Sequence, residues 1–253
     1  MKIKARVYCN GVMFTTDEIN ISPIQQQKIN DYCYEGKLDI FRKKHIVPDV
    51  WRYTIIVSSG TIIKLSIVKA IELSEFNDRP AIDAIGTKII LLVLESPHTS
   101  EYIYSKNLRV LTPKAPAQGK TINDAGNAIE IHIEDALKTL NLNDGIYSLV
   151  ICNPIPYMCS LGIFTGGLKN NLRNRVWKKI WEINEIRDDF INRISMYQPE
   201  YIINCCSGGQ NKYSLRGSVS KIILQEGFNR NLYCGYHPAR NWKNKRYGIY
   251  LYP

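Results

Sequence analysis

The sequence predicts an α/β fold of three layers, α/β/α, with a central four-stranded parallel sheet, preceded by a small α+β N-terminal domain. From residue 87 onward, short apolar runs alternate with stretches of helical periodicity, the order expected of parallel strands joined by helices. The runs are apolar at nearly every position, as in strands covered on both faces. The preceding residues instead show a hairpin pattern, so we expect a small domain over 1–86 and a larger one over 87–253.

The first 86 residues are predicted to form strands and one helix. Lys2–Cys9 alternates apolar and polar residues as a strand does, and Ser22–Tyr34 begins with the Ser-Pro pair of a helix start. Two β-branched runs, Trp51–Ser58 and Thr61–Leu73, flank a Ser-Gly pair, which predicts a hairpin. No motif in this segment indicates its role.

The larger domain is predicted to contain four strands and three helices. The strands are the apolar runs Lys88–Leu94, Tyr147–Cys152, Tyr201–Cys206 and Asn231–Gly235. The helices are the periodic segments Thr121–Leu140, Arg175–Tyr197 and Val219–Glu226. Because parallel strands end at one edge of their sheet, and ligands bind there, the residues that follow each strand are the candidate site.

Polar residues follow each of these strands. They are Glu95 with Ser96 and His98 around Pro97, then Asn153, then Ser207, and finally His237. We expect a carboxylate, an amide and two imidazoles to converge there.

The same segments resemble, in order, the motifs of the uracil-DNA glycosylase superfamily. LESPH resembles its first motif, written GQDPYH in one branch and GEAPG in another, and APAQGKTINDAGNAIEIHIEDALKTLNL resembles the glycine-containing loop and helix that follow. VICNPIPY resembles the second strand with its base-reading asparagine, QPEYIINCCSGG the third strand, and YHPARNW the final HPS-type motif. The resemblance covers most of residues 87–253.

The resemblance implies a DNA glycosylase, which flips a base from the duplex and hydrolyses its N-glycosidic bond to leave an abasic site. Glu95 would lie on the sugar side or orient the attacking water, and His237 would stabilise the leaving base. Asn153 would hydrogen-bond the base edge. The remaining pocket residues are expected to be Ser96, Pro97, His98 and Pro116.

The sequence departs from the superfamily pattern at two pocket positions. Ser96 stands where the GQDPYH branch has its water-activating aspartate, and Pro116 or Ala117 replaces the aromatic residue that stacks on the base. We therefore expect a wider pocket and a larger or modified pyrimidine, such as the glucosylated hydroxymethylcytosine of phage DNA. Plain uracil, or a catalytically inactive nucleic-acid-binding member, is the alternative.

The charge pattern indicates DNA as the partner. There are 33 Lys and Arg against 23 Asp and Glu, a net charge of +10, and basic residues cluster after the second and fourth strands. Arg240 and Trp242 are candidates for the wedge that fills the gap left by a flipped base. The full set of expected DNA contacts is Lys169, Arg173, Arg175, Lys178, Lys179, Ser207, Arg240, Trp242, Lys243 and Lys245. Solvated surface lysines are the alternative interpretation.

Other classes of site are not indicated. No apolar run approaches the roughly 20 residues of a membrane span, and no leader pattern is present, so we expect a cytoplasmic protein without membrane contact. The seven cysteines form no C-x-x-C pair, so we expect neither a metal nor another cofactor. Lys114 stands where a P-loop ending in QGKT would need glycine, which argues against a nucleotide cofactor. We expect a monomer, with a dimer as the alternative.

Overall fold

The computed structural model describes residues 1–29, 33–34, 37–67, 79–105, 110–118, 125–161, 171–208, 214–228 and 231–253. Within this part of the chain, an eight-stranded mixed sheet packs with several helices, and a five-stranded sheet and a two-stranded ribbon accompany it. The predicted α/β class is confirmed.

The elements are numbered in chain order. The strands before residue 87 are β1 (Lys2–Cys9), β2 (Val12–Thr15), β3 (Ile19–Asn20), β4 (Cys33–Tyr34), β5 (Lys37–Phe41), β6 (Val50–Ser58), β7 (Thr61–Ile67) and β8 (Arg79–Pro80). The later strands are β9 (Lys88–Val93), β10 (Tyr102–Ser105), β11 (Val110–Pro113), β12 (Gly145–Cys152), β13 (Tyr201–Asn204), β14 (Leu232–Cys234) and β15 (Tyr250–Leu251). The helices are α1 (Pro23–Ile29), α2 (Ala125–Leu137), α3 (Asn171–Trp181), α4 (Asn184–Tyr197), α5 (Leu215–Gln225) and α6 (Pro238–Asn241).

The main sheet is larger than predicted. Its order is β15-β14-β13-β9-β12-β6-β7, with β8 also paired to β6. The four strands expected from the sequence, β14, β13, β9 and β12, run parallel to their neighbours in this order. Antiparallel strands extend the sheet on both sides, because β6 pairs with β12 and β15 pairs with β14. The prediction of a four-stranded sheet is therefore wrong in extent.

The hairpin β6–β7 belongs to this sheet, although it precedes the domain boundary predicted at residue 86. Strand β6 pairs with β12 from Gly145 opposite Val57 to Ile151 opposite Val50. The turn residues Ser59 and Gly60 have φ of +51° and +69°, the left-handed pair that a tight two-residue hairpin turn requires. The hairpin is confirmed, and it belongs to the main sheet.

The strand β9 lies at the centre of the core and buries side chains on both faces. Ile89, Leu91 and Val93 pack with α3, α4, α5 and the sheet formed by β1 and its neighbours. Ile90 and Leu92 pack on the other face with α2 and the β6 side chains. All five side chains are 0% exposed, and each contributes about 2 kcal/mol of gross burial free energy.

The long helix predicted over Arg175–Tyr197 is wrong, because it is two helices. Ile183 separates α3 from α4 with an extended backbone, φ −73° and ψ 119°. Apolar residues on both sides of the break, Ile180 and Ile186, still face the same core, so the hydrophobic spacing conceals the interruption.

The other predicted helices differ at their ends. Helix α1 ends at Ile29 rather than Tyr34, and α5 begins four residues before the predicted Val219. Helix α2 ends at Leu137, three residues before the predicted Leu140, and a 3₁₀ turn continues to Leu140 before Asn141, which is left-handed at φ +49°. Residues 121–124, its predicted start, and 68–73, the predicted end of the hairpin, lie outside the described residues. No described helix is both long enough and apolar enough to span a bilayer.

Candidate active site

The strand register brings four chain segments to one edge of the main sheet. Val93 lies opposite both Cys152 and Asn204, and Asn204 lies opposite Cys234. The pairing continues one residue further, since Cys205 N–H donates to the Val93 carbonyl at 2.8 Å. The polar residues that follow these four strands therefore leave the sheet at the same edge.

Glu95 is buried at this edge, with 1% of its surface exposed. Its Oε2 accepts a hydrogen bond from the backbone N–H of Ser207 at 2.9 Å, and its Oε1 lies 2.7 Å from Nη1 of Arg173. The Glu95 carbonyl accepts from the indole N–H of Trp177 at 3.0 Å. The carboxylate is thus held in one orientation by α3 and by the loop after β13.

Arg173 and Ser207, expected from the sequence as DNA contacts, are the partners of this carboxylate. Besides Glu95, the Arg173 guanidinium donates to the Ser207 hydroxyl and to the Asn174 side chain, both at 3.0 Å. The Arg173 side chain is 22% exposed, so its guanidinium contacts both the buried Glu95 carboxylate and solvent.

Gly208 makes the turn beside Ser207 possible. Its φ is +106°, and a Cβ there would lie 2.7 Å from the Cβ of Ser214, the residue that caps α5. Any larger residue would therefore clash and strain the backbone at the point where the Ser207 amide is aimed at Glu95.

His237 lies at the fourth strand end, half-buried, immediately before α6. Burial lowers the pKa of its imidazole. The nearby Arg173, Arg216 and His98 lower this pKa further, whereas Glu95 raises it. Within the described residues, the ring makes no hydrogen bond. A neutral imidazole in this position can donate its N–H to a ligand.

Asn153 is 2% exposed, and its Oδ1 has no hydrogen-bond partner among the described residues. Its carbonyl accepts from Nη2 of Arg193 at 3.1 Å, and Nη1 of the same guanidinium lies 2.8 Å from Asp49. Tyr197 also donates to Asp49, at 2.9 Å. This buried network fixes the backbone of the second strand end, beside an Asn153 amide oxygen that is buried without a described partner.

The other expected pocket residues lie on the loops after β9 and β11. Ser96 is half-buried and lies near Cys159, where burial raises the pKa of the thiol and Ser96 opposes that shift. Pro97 is buried, and His98 is exposed with Nδ1 3.1 Å from the Thr99 hydroxyl.

Pro116 belongs to the second of these loops. It is buried, and its carbonyl accepts from Arg52 of β6. The buried carboxylate of Glu101 joins the two loops by accepting from the backbone N–H groups of His98 and Ala117.

Trp242 is a correction to the sequence interpretation. Its side chain is 0% exposed, packs with the α2 face of the core, and donates to the Tyr236 carbonyl at 2.9 Å. A side chain held in this way is not available to enter a DNA duplex. The other wedge candidate, Arg240, has a side chain outside the described residues.

The remaining basic residues differ in how much they are engaged. Lys178, Lys243 and Lys245 are exposed, and Arg175 is half-buried. Lys179 forms ion pairs with Glu182 at 2.7 Å and with Asp17 at 3.5 Å. Lys169 lies outside the described residues.

Sequence patterns did not indicate Arg193 or Arg216. Arg193 reaches the Asn153 carbonyl from 40 residues away in the chain, and Arg216 lies buried beside the third strand end. Neither arginine belongs to a sequence motif, so only tertiary contacts reveal its role. Among the described residues, no cluster of His, Cys, Asp or Glu could hold a metal ion.

Comparisons of the chain with protein-family models, with curated proteins and with solved structures found no match. The functional argument therefore depends on the geometry of the strand-end site.

Proposed function

We propose that this chain is a DNA glycosylase, a divergent member of the uracil-DNA glycosylase superfamily, that removes a modified or damaged pyrimidine and leaves an abasic site. The observation that carries the proposal is the buried Glu95 carboxylate, fixed by Arg173 and the Ser207 amide at the same sheet edge as His237. We also propose that the four parallel strands, with helices packed on both faces, form the three-layer core of that superfamily.

Glu95 would act on the sugar side of the bond. As the base departs, the sugar becomes an oxocarbenium-like cation, which a fixed carboxylate stabilises. Its Oε1 forms an ion pair with Arg173 at 2.7 Å, so the carboxylate is fixed where it can orient the attacking water. The same group can then take the proton of that water.

His237 would act on the leaving base. The electron pair of the broken bond moves to the base and places negative charge on its carbonyl oxygen. A neutral imidazole N–H aimed at that oxygen strengthens its hydrogen bond as the charge develops, which lowers the barrier. The lowered pKa of His237 supports this role, because the ring then stays neutral at pH 7.

Asn153 would read the edge of the flipped base. Its unpartnered Oδ1 is an acceptor suited to the N3–H of uracil or to the amino group of a cytosine. At Pro116 and Ala117, no aromatic side chain stacks over the base, which supports the choice of a larger, modified pyrimidine. Uracil remains the alternative substrate.

The test is base release from synthetic duplexes that carry uracil, 5-hydroxymethylcytosine or its glucosylated form, scored by alkaline cleavage at abasic sites. We expect release from one of them, and a fall of about 10²–10³-fold in the single-turnover rate for Glu95→Gln and for His237→Gln. Glu226→Gln and His132→Gln are the matched controls, because they remove a carboxylate and an imidazole elsewhere on the molecule.

Equal rates for all four variants would reject the assigned residues. DNA binding without release from any duplex would reject the enzyme and leave the inactive nucleic-acid-binding member.

A further inference from the structure

Arg216 is a buried cation without a counter-ion in the described chain. It lies in the first turn of α5, is 4% exposed, and its Nε donates to the Cys206 carbonyl at 3.0 Å. None of the described carboxylates pairs with it. The undescribed segments nearest to it in the sequence, 209–213 and 229–230, contain no Asp or Glu.

A buried charge that is not neutralised destabilises a fold, because it loses hydration and gains no partner. The Nη atoms of Arg216 have no hydrogen-bond partner among the described residues, yet they are not sealed from solvent as fully buried unsatisfied atoms are. These donors therefore keep some contact with solvent and can receive an anion from outside the fold.

Arg216 lies beside the proposed catalytic groups. The Arg216 guanidinium carbon is 5.9 Å from the centre of the Tyr236 ring, next to His237 in the chain. Arg216 is also close enough to His237 to disfavour a second positive charge on that imidazole. Two nitrogen donors, one charged and one neutral, thus border the same region.

We propose that Arg216 binds the negative charge of the departing pyrimidine, acting together with His237. The C1′–N bond breaks, and its electron pair moves to the base, where the Arg216 and His237 N–H groups hydrogen-bond the resulting anion. Water adds to C1′ and gives its proton to Glu95, and the base later takes a proton from solvent. The identity of the anion rests on the proposed function, whereas the anion site rests on the burial of Arg216.

Burial favours the base over a DNA phosphate as the occupant. A phosphodiester is tied to the chain through two ester oxygens and approaches a protein surface, whereas a flipped base enters a pocket. The Arg216 guanidinium, in a side chain that is only 4% exposed, is therefore better placed to contact a flipped base.

The first experiment measures anion binding without catalysis. Barbiturate, a pyrimidine that is an anion at neutral pH, and inorganic phosphate are titrated into wild type, Arg216→Gln, Arg216→Met and Lys221→Gln by calorimetry. We expect barbiturate to bind wild type and Lys221→Gln alike, and both Arg216 variants to bind roughly 10–100-fold more weakly, as for loss of a charged hydrogen bond. Lys221 is the matched control, because it is an exposed cation on the same helix.

The second experiment follows base release in the same variants. We expect both Arg216 variants to slow the single-turnover step by about 10²–10³-fold with unchanged DNA affinity. The deficit should shrink for 5-fluorouracil, whose anion leaves more easily than that of uracil. Thermal melting should show Arg216→Met folded and no less stable than wild type, because an unpaired buried charge has been removed.

The outcomes separate the two proposals. Arg216-dependent barbiturate binding with no base release by wild type would retain the anion site and reject the glycosylase. Absence of barbiturate binding, or equal binding by the Arg216 variants, would overturn the assignment. Arg216-dependent phosphate binding with loss of DNA affinity would also overturn it, and would place a backbone phosphate at this residue.

Discussion

At the residue scale, the surroundings of His237 determine how the site responds to pH. Burial disfavours the protonated ring, and Arg173, Arg216 and His98 act in the same direction, whereas Glu95 opposes them. The pKa of His237 therefore lies below the ordinary histidine value of about 6.5. Unfolded chains take up this proton before the folded protein does, so His237 lowers stability as pH falls from about 6.5 through the folded pKa.

We predict that base release stays near its maximum down to about pH 6.5 and declines only at lower pH, as the His237 ring becomes protonated. Titration of the His237 C2–H by NMR, identified by its absence in His237→Gln, should give a pKa below about 6.5. Arg216→Gln should raise that pKa and Glu95→Gln should lower it. A His237 pKa at or above the ordinary value would contradict the buried, neutral imidazole.

The candidate catalytic residues could be predicted from the sequence because each follows an apolar strand in an ordered set of motifs. Glu95, Asn153 and His237 are predicted in this way, and the strand register brings their segments to one edge. Their partners were not all found. Arg173 and Ser207 were expected to contact DNA rather than Glu95, because side-chain pairing across 78 or more residues leaves no local pattern.

At the element scale, helix α3 carries two neighbouring lysines with different surroundings. Lys178 is exposed, whereas Lys179 already pairs with Glu182 and Asp17. The two side chains therefore form a matched pair for testing whether this helix contacts phosphates.

We predict that Lys178→Gln reduces the slope of log affinity for DNA against log salt concentration by about 0.9, the value for one lost phosphate contact. Lys179→Gln should change the slope less, because the lysine is engaged by carboxylates. The double variant Lys243→Gln/Lys245→Gln should reduce it by about 1.8. Fluorescence anisotropy in the Glu95→Gln background measures the slopes, and equal slopes for all variants would place the DNA elsewhere.

Element ends were predicted well where a local signal marks them. The Ser59-Gly60 turn and the Asn141 helix end are such cases, because each needs a left-handed residue that the sequence supplies. The break at Ile183 could not be predicted, since no proline or glycine marks it and the apolar spacing continues across it.

At the scale of the whole molecule, the main sheet joins regions that the sequence pattern separates. The change of pattern near residue 86 reflects a change from antiparallel to parallel strands within one sheet, rather than the edge of that sheet. Side chains of β6, including Ile55 and Val57, lie in the same core as Leu149 and Ile151 of β12.

We predict that residues 87–253 alone do not fold cooperatively, because removal of residues 1–86 exposes the edge and one face of β12. Thermal melting by circular dichroism should show no sharp transition for this fragment, and co-expression with residues 1–86 should restore it. A fragment that melts like the full chain would instead support the division predicted at residue 86.

The pairing of β6 with β12 also sets an order of events during synthesis. The β6–β7 hairpin is complete by Ile67, but its partner strand ends at Cys152, 94 residues after the end of β6 at Ser58. At about 5–20 residues per second, the ribosome takes roughly 5–20 s to deliver that distance. During this interval the hairpin presents an unpaired edge with apolar side chains, the kind of surface that aggregates with other nascent chains. We therefore expect lower growth temperatures, or chaperones that cover this edge, to raise the yield of soluble protein.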